Sequence, residues 1–408
     1  MTGPFLKNTY SSAQDMSLSD CKSDEARIHL MLFFTLGVSL EDWAKLGLLK
    51  REVGSYQALA TGGVRVTFVT YGNEKDLDYA SDAPGISIFP LFLGSTRPKS
   101  RLGMLLLSLI LPLRLRTLVQ KADLLKTNQM WGAWVPLICG RLFSLPVLLR
   151  CGFERYQNEL REPRGRVAYL FLLRTISRLC YQAAEHIILT TEAMARFVVD
   201  EMKIRRDKIS VIPNSINTDR FCPSSGSTNG RLLFVGRLSK EKNLSALVDA
   251  LTGTGIGLDL VGSGPEEDNI RERIRKAKID AELLGSVSND KLPELITRYQ
   301  AFILPSLYEG HPKAILEAMS CGLPVIGTDV PGIRGLITHE KNGLLADTDY
   351  LSLRSAIQTL MSDLKLQHHL GTSARERIVQ DFDLGKVARR ETDIIHSICS
   401  TSWGVLQK

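Results

Sequence analysis

The stretch AFILPSLYEGHPKAILEAMSCGLPVIGTD, residues 301–329, indicates the fold most clearly. A short apolar run ends near Pro305, a loop follows, and a helical pattern begins at Pro312, a residue type favoured at the first helical position. Gly322 and Pro324 then end the helix before a second apolar run begins. This order of strand, loop, helix and strand is typical of a parallel β-sheet covered by helices.

The same alternation of apolar runs and helical patterns extends through the whole chain. In the first half it passes through IHLMLFFTLG, a predicted helix from Leu40 to about Ala60, VRVTFVTYG, IILTT and ISVIP. It stops at NSINTDRFCPSSGSTNG, residues 214–230, and restarts with RLLFVG. We therefore predict an α/β protein with two Rossmann-like, doubly wound domains that face each other across a cleft, where such sheets bind ligands.

A chain of 408 residues is too long for one ordinary hydrophobic core, which supports the division into domains. The first residues lack the basic start and apolar core of a secretory signal, and no apolar run reaches the about 20 residues of a membrane-spanning helix. The predicted segments are a loose tail (1–26), an N-terminal Rossmann-like domain (27–213), a linker (214–230), a C-terminal Rossmann-like domain (231–385) and a helix and tail crossing back to the N-terminal domain (386–408).

The seven cysteines are scattered and never spaced as CxxC, so neither a disulfide framework nor a zinc site is expected. A reducing cytoplasm fits this pattern best, and the sequence gives no sign of nucleic-acid binding. No metal or other cofactor is expected.

The net charge of +7 is unevenly distributed along the chain. Residues 97–178 contain 15 Lys/Arg against 4 Asp/Glu and enclose the run LGMLLLSLILPL, Leu102 to Leu113. One interpretation is an interfacial helix whose basic flanks attract an anionic membrane surface. The other is a core helix covering one face of the sheet. The basic region allows electrostatic docking in either case.

The loop SLYEGH lies at the carboxyl end of a predicted strand, where helix N-termini bind phosphates. We expect the backbone of His311, Pro312 and Lys313 to cradle phosphate or sugar there. Glu309 lies in this loop, beside the expected cleft, and Glu317 lies on the first turns of the helix. Both carboxylates can accept hydrogen bonds from hydroxyl pairs.

A second loop, FVGRLSKEKNL, adds two cations after another predicted strand. Arg237 and Lys242 precede a helix there and could neutralise a diphosphate without a metal ion. The alternative interpretation is a solvated loop with ordinary surface charges.

Together these segments resemble retaining glycosyltransferase family 4, whose members have the GT-B fold. The resemblance rests on Glu309 and Glu317 with seven residues between them, and on GRLSKEKN, LVGSGPEE, LGSV and VIPNSINTDRF in the family's order. It implies that the N-terminal domain binds the acceptor and the C-terminal domain binds the nucleotide sugar. It also implies that Arg237 and Lys242 hold the donor diphosphate, that Glu309 holds the donor sugar, and that Glu317 holds the ribose. Electrostatic stabilisation of the leaving diphosphate would then be the main catalytic effect, without a metal ion.

Weaker candidates complete the predicted site. Gly264 is expected near the base or phosphate, and Val287 near the base. Gly37 stands in the loop after the first strand, which approaches the donor phosphate in this family. Asn128 or Gln129 takes the position at a strand end where many relatives place a histidine. Both residues are candidates for the acceptor cleft, and neither side chain can act as a base.

Two other patterns have simpler explanations. VGSGPEE suggests a dinucleotide-binding loop, but Glu267 stands where its third glycine is needed. The acid pairs Asp76/Asp78 and Asp347/Asp349 resemble metal-binding motifs of a different glycosyltransferase fold, and chance explains them.

The sequence therefore predicts an enzyme that transfers a hexose from a UDP- or GDP-sugar to a lipid-linked or polysaccharide acceptor during cell-surface glycan synthesis. The expected location is the cytoplasm, at the inner face of the membrane. The alternatives are a non-catalytic subunit that binds sugar nucleotides or glycans, and another GT-B enzyme such as a phosphorylase or an epimerase.

Overall fold

The computed structural model describes residues 28–98, 100–161, 167–224, 226 and 228–406. The predicted tail, residues 1–26, lies outside them. Contacts divide the described chain into two compact units. The first contains the described parts of residues 1–188, 202–209 and 391–408, and the second contains residues 189–201 and 210–390.

A seven-stranded sheet forms the centre of the first unit, in the order β3-β2-β1-β4-β5-β6-β7. The pairs β1–β2, β1–β4, β2–β3 and β4–β5 are parallel. The chain order reverses between β1 and β4, as in the doubly wound folds. The strands are β1 (Ile28–Phe33), β2 (Val64–Thr70), β3 (Ile86–Pro90), β4 (Leu124–Thr127), β5 (Val147–Cys151), β6 (His186–Leu189) and β7 (Ile209–Val211).

The helix predicted from Leu40 to about Ala60 is in fact two helices. Gly47 has a φ of 67°, in the left-handed region that favours glycine, and it separates them. The α-helices up to β7 are α1 (Leu40–Lys45), α2 (Leu49–Thr61), α3 (Arg101–Arg114), α4 (Arg116–Val119), α5 (Trp134–Phe143), α6 (Arg155–Glu159), α7 (Val167–Ala183) and α8 (Glu192–Met202).

The second unit repeats the plan with a six-stranded sheet in the order β10-β9-β8-β11-β12-β13, all pairs parallel. Its chain order reverses between β8 and β11, so the loops after these two strands start side by side. The strands are β8 (Leu232–Val235), β9 (Leu258–Val261), β10 (Ala281–Gly285), β11 (Ala301–Leu304), β12 (Val325–Thr328) and β13 (Leu344–Ala346).

Helices pack on this second sheet around one apolar core. Two of its members, Ile216 and Phe221, belong to the predicted linker 214–230, and Phe221 O accepts a hydrogen bond from Ser320 Oγ at 2.6 Å. The helices after β8 are α9 (Leu244–Leu251), α10 (Glu267–Ala277), α11 (Leu292–Ile296), α12 (Lys313–Ser320), α13 (Pro331–Arg334), α14 (Tyr350–Ser362), α15 (Leu364–Asp381) and α16 (Leu384–Leu406).

The last helix, α16, begins in the second unit and belongs to the first from Glu391 onward. Within the first unit, buried Glu391 forms ion pairs with Lys126 Nζ at 2.5 Å and Arg150 Nη1 at 3.1 Å. Burial acts to raise the pKa of Glu391, but these two cations outweigh it and hold the pKa below its usual range. The pairs fasten the end of the chain to β4 and β5.

None of the helices in the described parts of the chain combines the length and the apolar character that a membrane crossing requires.

Candidate functional site

Glu309 lies in the loop after β11, and this loop is fixed to its neighbours. Ser306, which is buried, donates its hydroxyl to Glu309 Oε1 at 2.7 Å, while its carbonyl accepts from Thr328 Oγ1. Leu307 N donates to Glu241 O at 2.8 Å. Hydrogen bonds with Thr328 of β12 and with Glu241, after β8, therefore hold the backbone of this loop, and the Ser306 hydroxyl orients the Glu309 carboxylate.

Lys242 connects the two central loops of this unit. It ends a short 3₁₀ turn, Lys240–Lys242, and its Nζ lies 2.5 Å from Glu309 Oε1. The two side chains are 17% and 12% exposed, so the pair is shielded from water but still reachable. An ammonium has three N–H donors, so Lys242 can hold Glu309 and an anion at once.

Arg237 is exposed in the loop that follows β8. Its guanidinium makes no hydrogen bond or ion pair with any residue that the structure describes. The backbone below it is ordered, because Ser239 N donates to Arg237 O at 3.0 Å and Leu238 N to Ser263 O at 3.0 Å. The structure thus presents Arg237 as a cation on a fixed loop, five positions before Lys242.

Gly264, predicted near the base or phosphate, has a clear packing role. A Cβ at this position would lie 2.3 Å from Leu238 O, and one at Gly262 would lie 1.9 Å from Gly236 O. The two glycines therefore let the loop after β9 press against the loop that carries Arg237. This contact explains the VGSGP pattern without a ligand, and the predicted donor contact of Gly264 stays a prediction.

Glu317 is 2% exposed on α12 and accepts a hydrogen bond from Asn289 Nδ2 at 3.3 Å. Asn289 is buried as well, and its Oδ1 has no hydrogen-bond partner among the described residues. A buried amide oxygen without a partner costs free energy unless a ligand donates to it. Asn289, which the sequence did not single out, therefore joins Glu317 as a candidate hydroxyl-binding residue.

The three positions expected to cradle phosphate lie at the start of α12. His311 is buried, its carbonyl accepts from Asn214 Nδ2 at 2.8 Å, and its ring lies 5.5 Å from that of Phe382. Pro312 is the N-cap residue, and α12 begins at Lys313, one position after the predicted start. Because proline has no N–H, only His311 and Lys313 among the three can donate a backbone hydrogen bond.

Val287 is half-buried and packs against the core of the second unit. Next to it, Ser286 Oγ donates to Ser263 Oγ at 3.1 Å. This links the loop after β10 to the loop after β9. The predicted contact of Val287 with the base stays a prediction.

In the first unit, Gly37, Asn128 and Gln129 follow β1 and β4, the central pair of that sheet. Gly37 has a φ of 77°, and its carbonyl accepts from the guanidinium of Arg97. Asn128 Oδ1 accepts from Tyr56 OH at 3.1 Å, and Gln129 Oε1 from Gly152 N at 3.0 Å. Both amide oxygens thus serve the fold, which leaves the amide N–H groups for a ligand.

One carboxylate of each acid pair has structural partners. Asp76, in the first unit, is buried and accepts from Thr70 Oγ1 and from Glu41 N. Asp349, in the second unit, caps α14 by accepting from Leu351 N and Ser352 N. In the described parts of the chain, no three His, Cys, Asp or Glu side chains converge as they would to hold a metal ion.

Two family models match this chain. "Glycosyl transferases group 1" matches residues 215–377, and "Glycosyltransferase Family 4" matches residues 56–220. The first range includes every candidate of the second unit, from Arg237 to Glu317. The second includes Asn128 and Gln129.

Among curated proteins, the chain is 29% identical to glycogen synthase of Mycobacterium tuberculosis over 194 residues, 44% of this chain and 46% of that protein. It is 24% identical over 304 residues to UDP-Gal:alpha-D-GlcNAc-diphosphoundecaprenol alpha-1,3-galactosyltransferase of Escherichia coli, 67% of this chain and 75% of that protein. The match therefore spans less than half of the glycogen synthase.

Solved structures confirm the predicted GT-B fold. Sucrose-phosphate synthase from Thermosynechococcus elongatus superposes with a TM-score of 0.78 at 20% identity, covering 92% of this chain and 100% of that one. Anabaena HepE in complex with UDP superposes with a TM-score of 0.73 at 18% identity, covering 91% of this chain and 100% of that one.

Proposed function

This chain belongs to glycosyltransferase family 4, and from that premise we propose that it transfers a hexose from a UDP- or GDP-sugar to a lipid-linked or polysaccharide acceptor. Transfer proceeds with retention of the anomeric configuration and without a metal ion. The reaction belongs to cell-surface glycan synthesis, at the cytoplasmic face of the membrane.

The observation that carries this proposal is the Lys242–Glu309 pair, at 2.5 Å, where the chain order of the second sheet reverses. Open α/β sheets bind nucleotides at this point. A carboxylate suited to sugar hydroxyls thus stands directly beside a cation suited to a diphosphate. The exposed Arg237 adds a second cation in the same loop after β8.

Each residue then has a defined task. As the bond between the anomeric carbon and the diphosphate oxygen breaks, negative charge grows on the diphosphate, and Arg237 and Lys242 stabilise it. Glu309 holds hydroxyls of the transferred hexose, and Glu317 with Asn289 holds the ribose hydroxyls. The acceptor hydroxyl attacks the anomeric carbon, and its proton goes to an oxygen of the leaving diphosphate.

Of the two nucleotides, UDP is the one supported by proteins similar to this chain. The HepE structure, which shares the fold, is described as a complex with UDP. The E. coli relative is named for a UDP-galactose donor and a diphosphoundecaprenol-linked acceptor. UDP-hexose is therefore the first donor to test, and a lipid-linked sugar the first acceptor.

The test is release of nucleoside diphosphate from a panel of UDP- and GDP-hexoses, with and without EDTA, in the presence of a lipid-linked acceptor. We expect one donor class to release its diphosphate equally in both conditions. Loss of turnover in EDTA would contradict the metal-free mechanism. Absence of turnover with every donor, together with tight nucleotide binding, would favour a non-catalytic subunit. Isomerised donor or sugar phosphate among the products would indicate an epimerase or a phosphorylase.

A further inference from the structure

Helix α3 is attached to the first unit by one face only. Met104, Ser108 and Leu111 are buried on that face, and Ser108 Oγ accepts from Trp134 Nε1 of α5 at 2.8 Å. Ser100 caps the helix by accepting from Gly103 N at 3.0 Å. The helix is therefore a fixed part of the unit, and its opposite face is a defined surface.

That opposite face is apolar, although it is exposed. Six large side chains, all at least 38% exposed, recur at intervals of three and four residues and so form one stripe along the helix. A surface helix of a water-soluble protein presents polar groups there, and a continuous apolar patch marks an interaction site. We name this stripe the leucine face, and it consists of Leu102, Leu105, Leu106, Leu109, Ile110 and Leu113.

A second apolar surface lies beside the leucine face. Val167 and Phe171 of α7 are 78% and 68% exposed. A cavity of about 730 Å³ joins the two helices, because Leu102 and Leu105 line it together with Tyr169 of α7. The cavity therefore connects one end of the leucine face with α7 through Leu102, Leu105 and Tyr169.

Basic side chains lie near both ends of this apolar surface. Residues 97–116 contain five Lys/Arg and no Asp/Glu. Arg114, the last residue of α3, and Arg116, the first residue of α4, are both exposed. Arg97 and Arg155 line the cavity itself. Each has one acidic neighbour, Asp42 at 3.6 Å and Glu159 at 4.0 Å, so the excess positive charge comes mainly from the α3 flanks.

We propose that the leucine face inserts into the interface of an anionic phospholipid bilayer. The leucines supply the apolar contact, and the basic flanks supply attraction to the headgroups. A second copy of this chain fits less well, because a symmetric contact would place the basic flanks of two copies side by side. The proposal concerns membrane binding and not the transfer reaction. All the residues from which it is argued belong to the first unit.

The test measures binding of the full chain to vesicles of phosphatidylglycerol and phosphatidylcholine, and to vesicles of phosphatidylcholine alone. The variant Leu106→Gln/Leu109→Gln/Leu113→Gln removes three leucines that do not line the cavity. Its matched control is Leu46→Gln/Leu351→Gln/Leu364→Gln, which replaces leucines of 60–72% exposure elsewhere. We expect the first variant to lower the partition coefficient roughly tenfold or more and the control to leave it unchanged.

A second pair of variants tests how much the basic side chains contribute to vesicle binding. Arg114→Gln/Arg116→Gln should weaken binding to anionic vesicles about tenfold, whereas Lys341→Gln/Lys365→Gln, at exposed sites in the second unit, should not. Raising the salt from about 0.05 M to about 0.5 M should also weaken binding, because it screens the headgroup charge.

Three outcomes would overturn the proposal. One is equal binding of the leucine variant and its control. Another is absence of binding to anionic vesicles at low salt. The third is a wild-type dimer that the leucine variant converts to a monomer without any vesicle binding, which would make this face a contact between copies. Donor turnover with a water-soluble acceptor, measured on the same variants, tests the transfer reaction separately.

Discussion

Lys242 Nζ and Glu309 Oε1 lie 2.5 Å apart, although 66 residues separate them in the chain. The pair exists because β8 and β11 are neighbours in the sheet while β9 and β10 lie on the far side of β8. The carboxylate that we propose to bind the sugar and the cation that we propose to bind the diphosphate are thereby brought together by the sheet topology. The pair is the centre of the proposed donor site.

Replacing Lys242 with alanine should lower the rate of donor turnover about a hundredfold to a thousandfold, on the order of 3 kcal/mol of transition-state stabilisation. The reason is loss of the cation that stabilises the leaving diphosphate. Lys240→Ala is the matched control, since Lys240 is an exposed cation in the same 3₁₀ turn. Release of nucleoside diphosphate at saturating donor measures the effect. Equal turnover of the two variants would remove Lys242 from the proposed mechanism.

Replacing Glu317 with glutamine should reduce the preference for a donor with an intact ribose. The buried carboxylate is proposed to accept from the ribose hydroxyls, and a hydrogen bond to a charged group contributes about 1.5–3 kcal/mol. The measurement compares kcat/KM for the natural donor and its 2′-deoxy analogue, and we expect the ratio to fall about tenfold. Glu294→Gln, at an exposed position on α11, should leave the ratio unchanged. An unchanged ratio in Glu317→Gln would mean that this carboxylate does not hold the ribose.

Replacing Gly264 with alanine should destabilise the second unit by about 1–3 kcal/mol, because the new methyl group would overlap with Leu238 O. Gly54→Ala is the opposite case. Gly54 lies inside α2 with nothing within 4 Å of an added Cβ, so alanine there should stabilise the first unit by up to about 1 kcal/mol. Thermal unfolding measures both. A Gly264→Ala variant as stable as the wild type would show that this contact adjusts freely.

Replacing Glu391 with glutamine should destabilise the first unit by about 3 kcal/mol at neutral pH, because Lys126 then stays buried without its counter-charge. The folded-state pKa of Glu391 is depressed, so its contribution is complete above the unfolded-state pKa and is lost as the pH falls through the folded-state value. The wild type and the variant should therefore differ most near neutral pH, and the difference should begin to shrink once the pH falls below the unfolded-state value of about 4.3. Urea unfolding of the wild type and the variant, repeated from neutral to acid pH, measures this difference in the free energy of unfolding. A difference that does not change with pH would contradict the role given to the Glu391 ion pairs.

Much of the fold follows from the sequence, because parallel strands and their helices leave a clear alternating pattern. The pattern predicted both sheets and placed Arg237, Lys242 and Glu309 in loops that follow strands. That these two strands are neighbours in the sheet was shown by the structure. It did not predict the break at Gly47, since a helical pattern continues on both sides of a residue with positive φ.

Other features depend on information that the pattern does not contain. The contacts of Ser306 with Glu309 and of Asn289 with Glu317 arise from loop conformation, which residue types do not specify. The sequence left open whether Leu102 to Leu113 are buried, because a helix with apolar residues on most sides can pack by either face. The structure shows that Met104, Ser108 and Leu111 face inward and the leucine face outward.

The most direct test of the donor site is calorimetric titration of UDP, and separately of GDP, into the protein in the presence of EDTA. One nucleotide should bind the wild type and the control Lys240→Ala/Lys341→Ala with equal affinity, and bind Arg237→Ala/Lys242→Ala at least about tenfold more weakly, because two cations facing the diphosphate are lost. If neither nucleotide binds without a metal ion, or if Arg237→Ala/Lys242→Ala binds as tightly as the control, the proposed donor site is wrong.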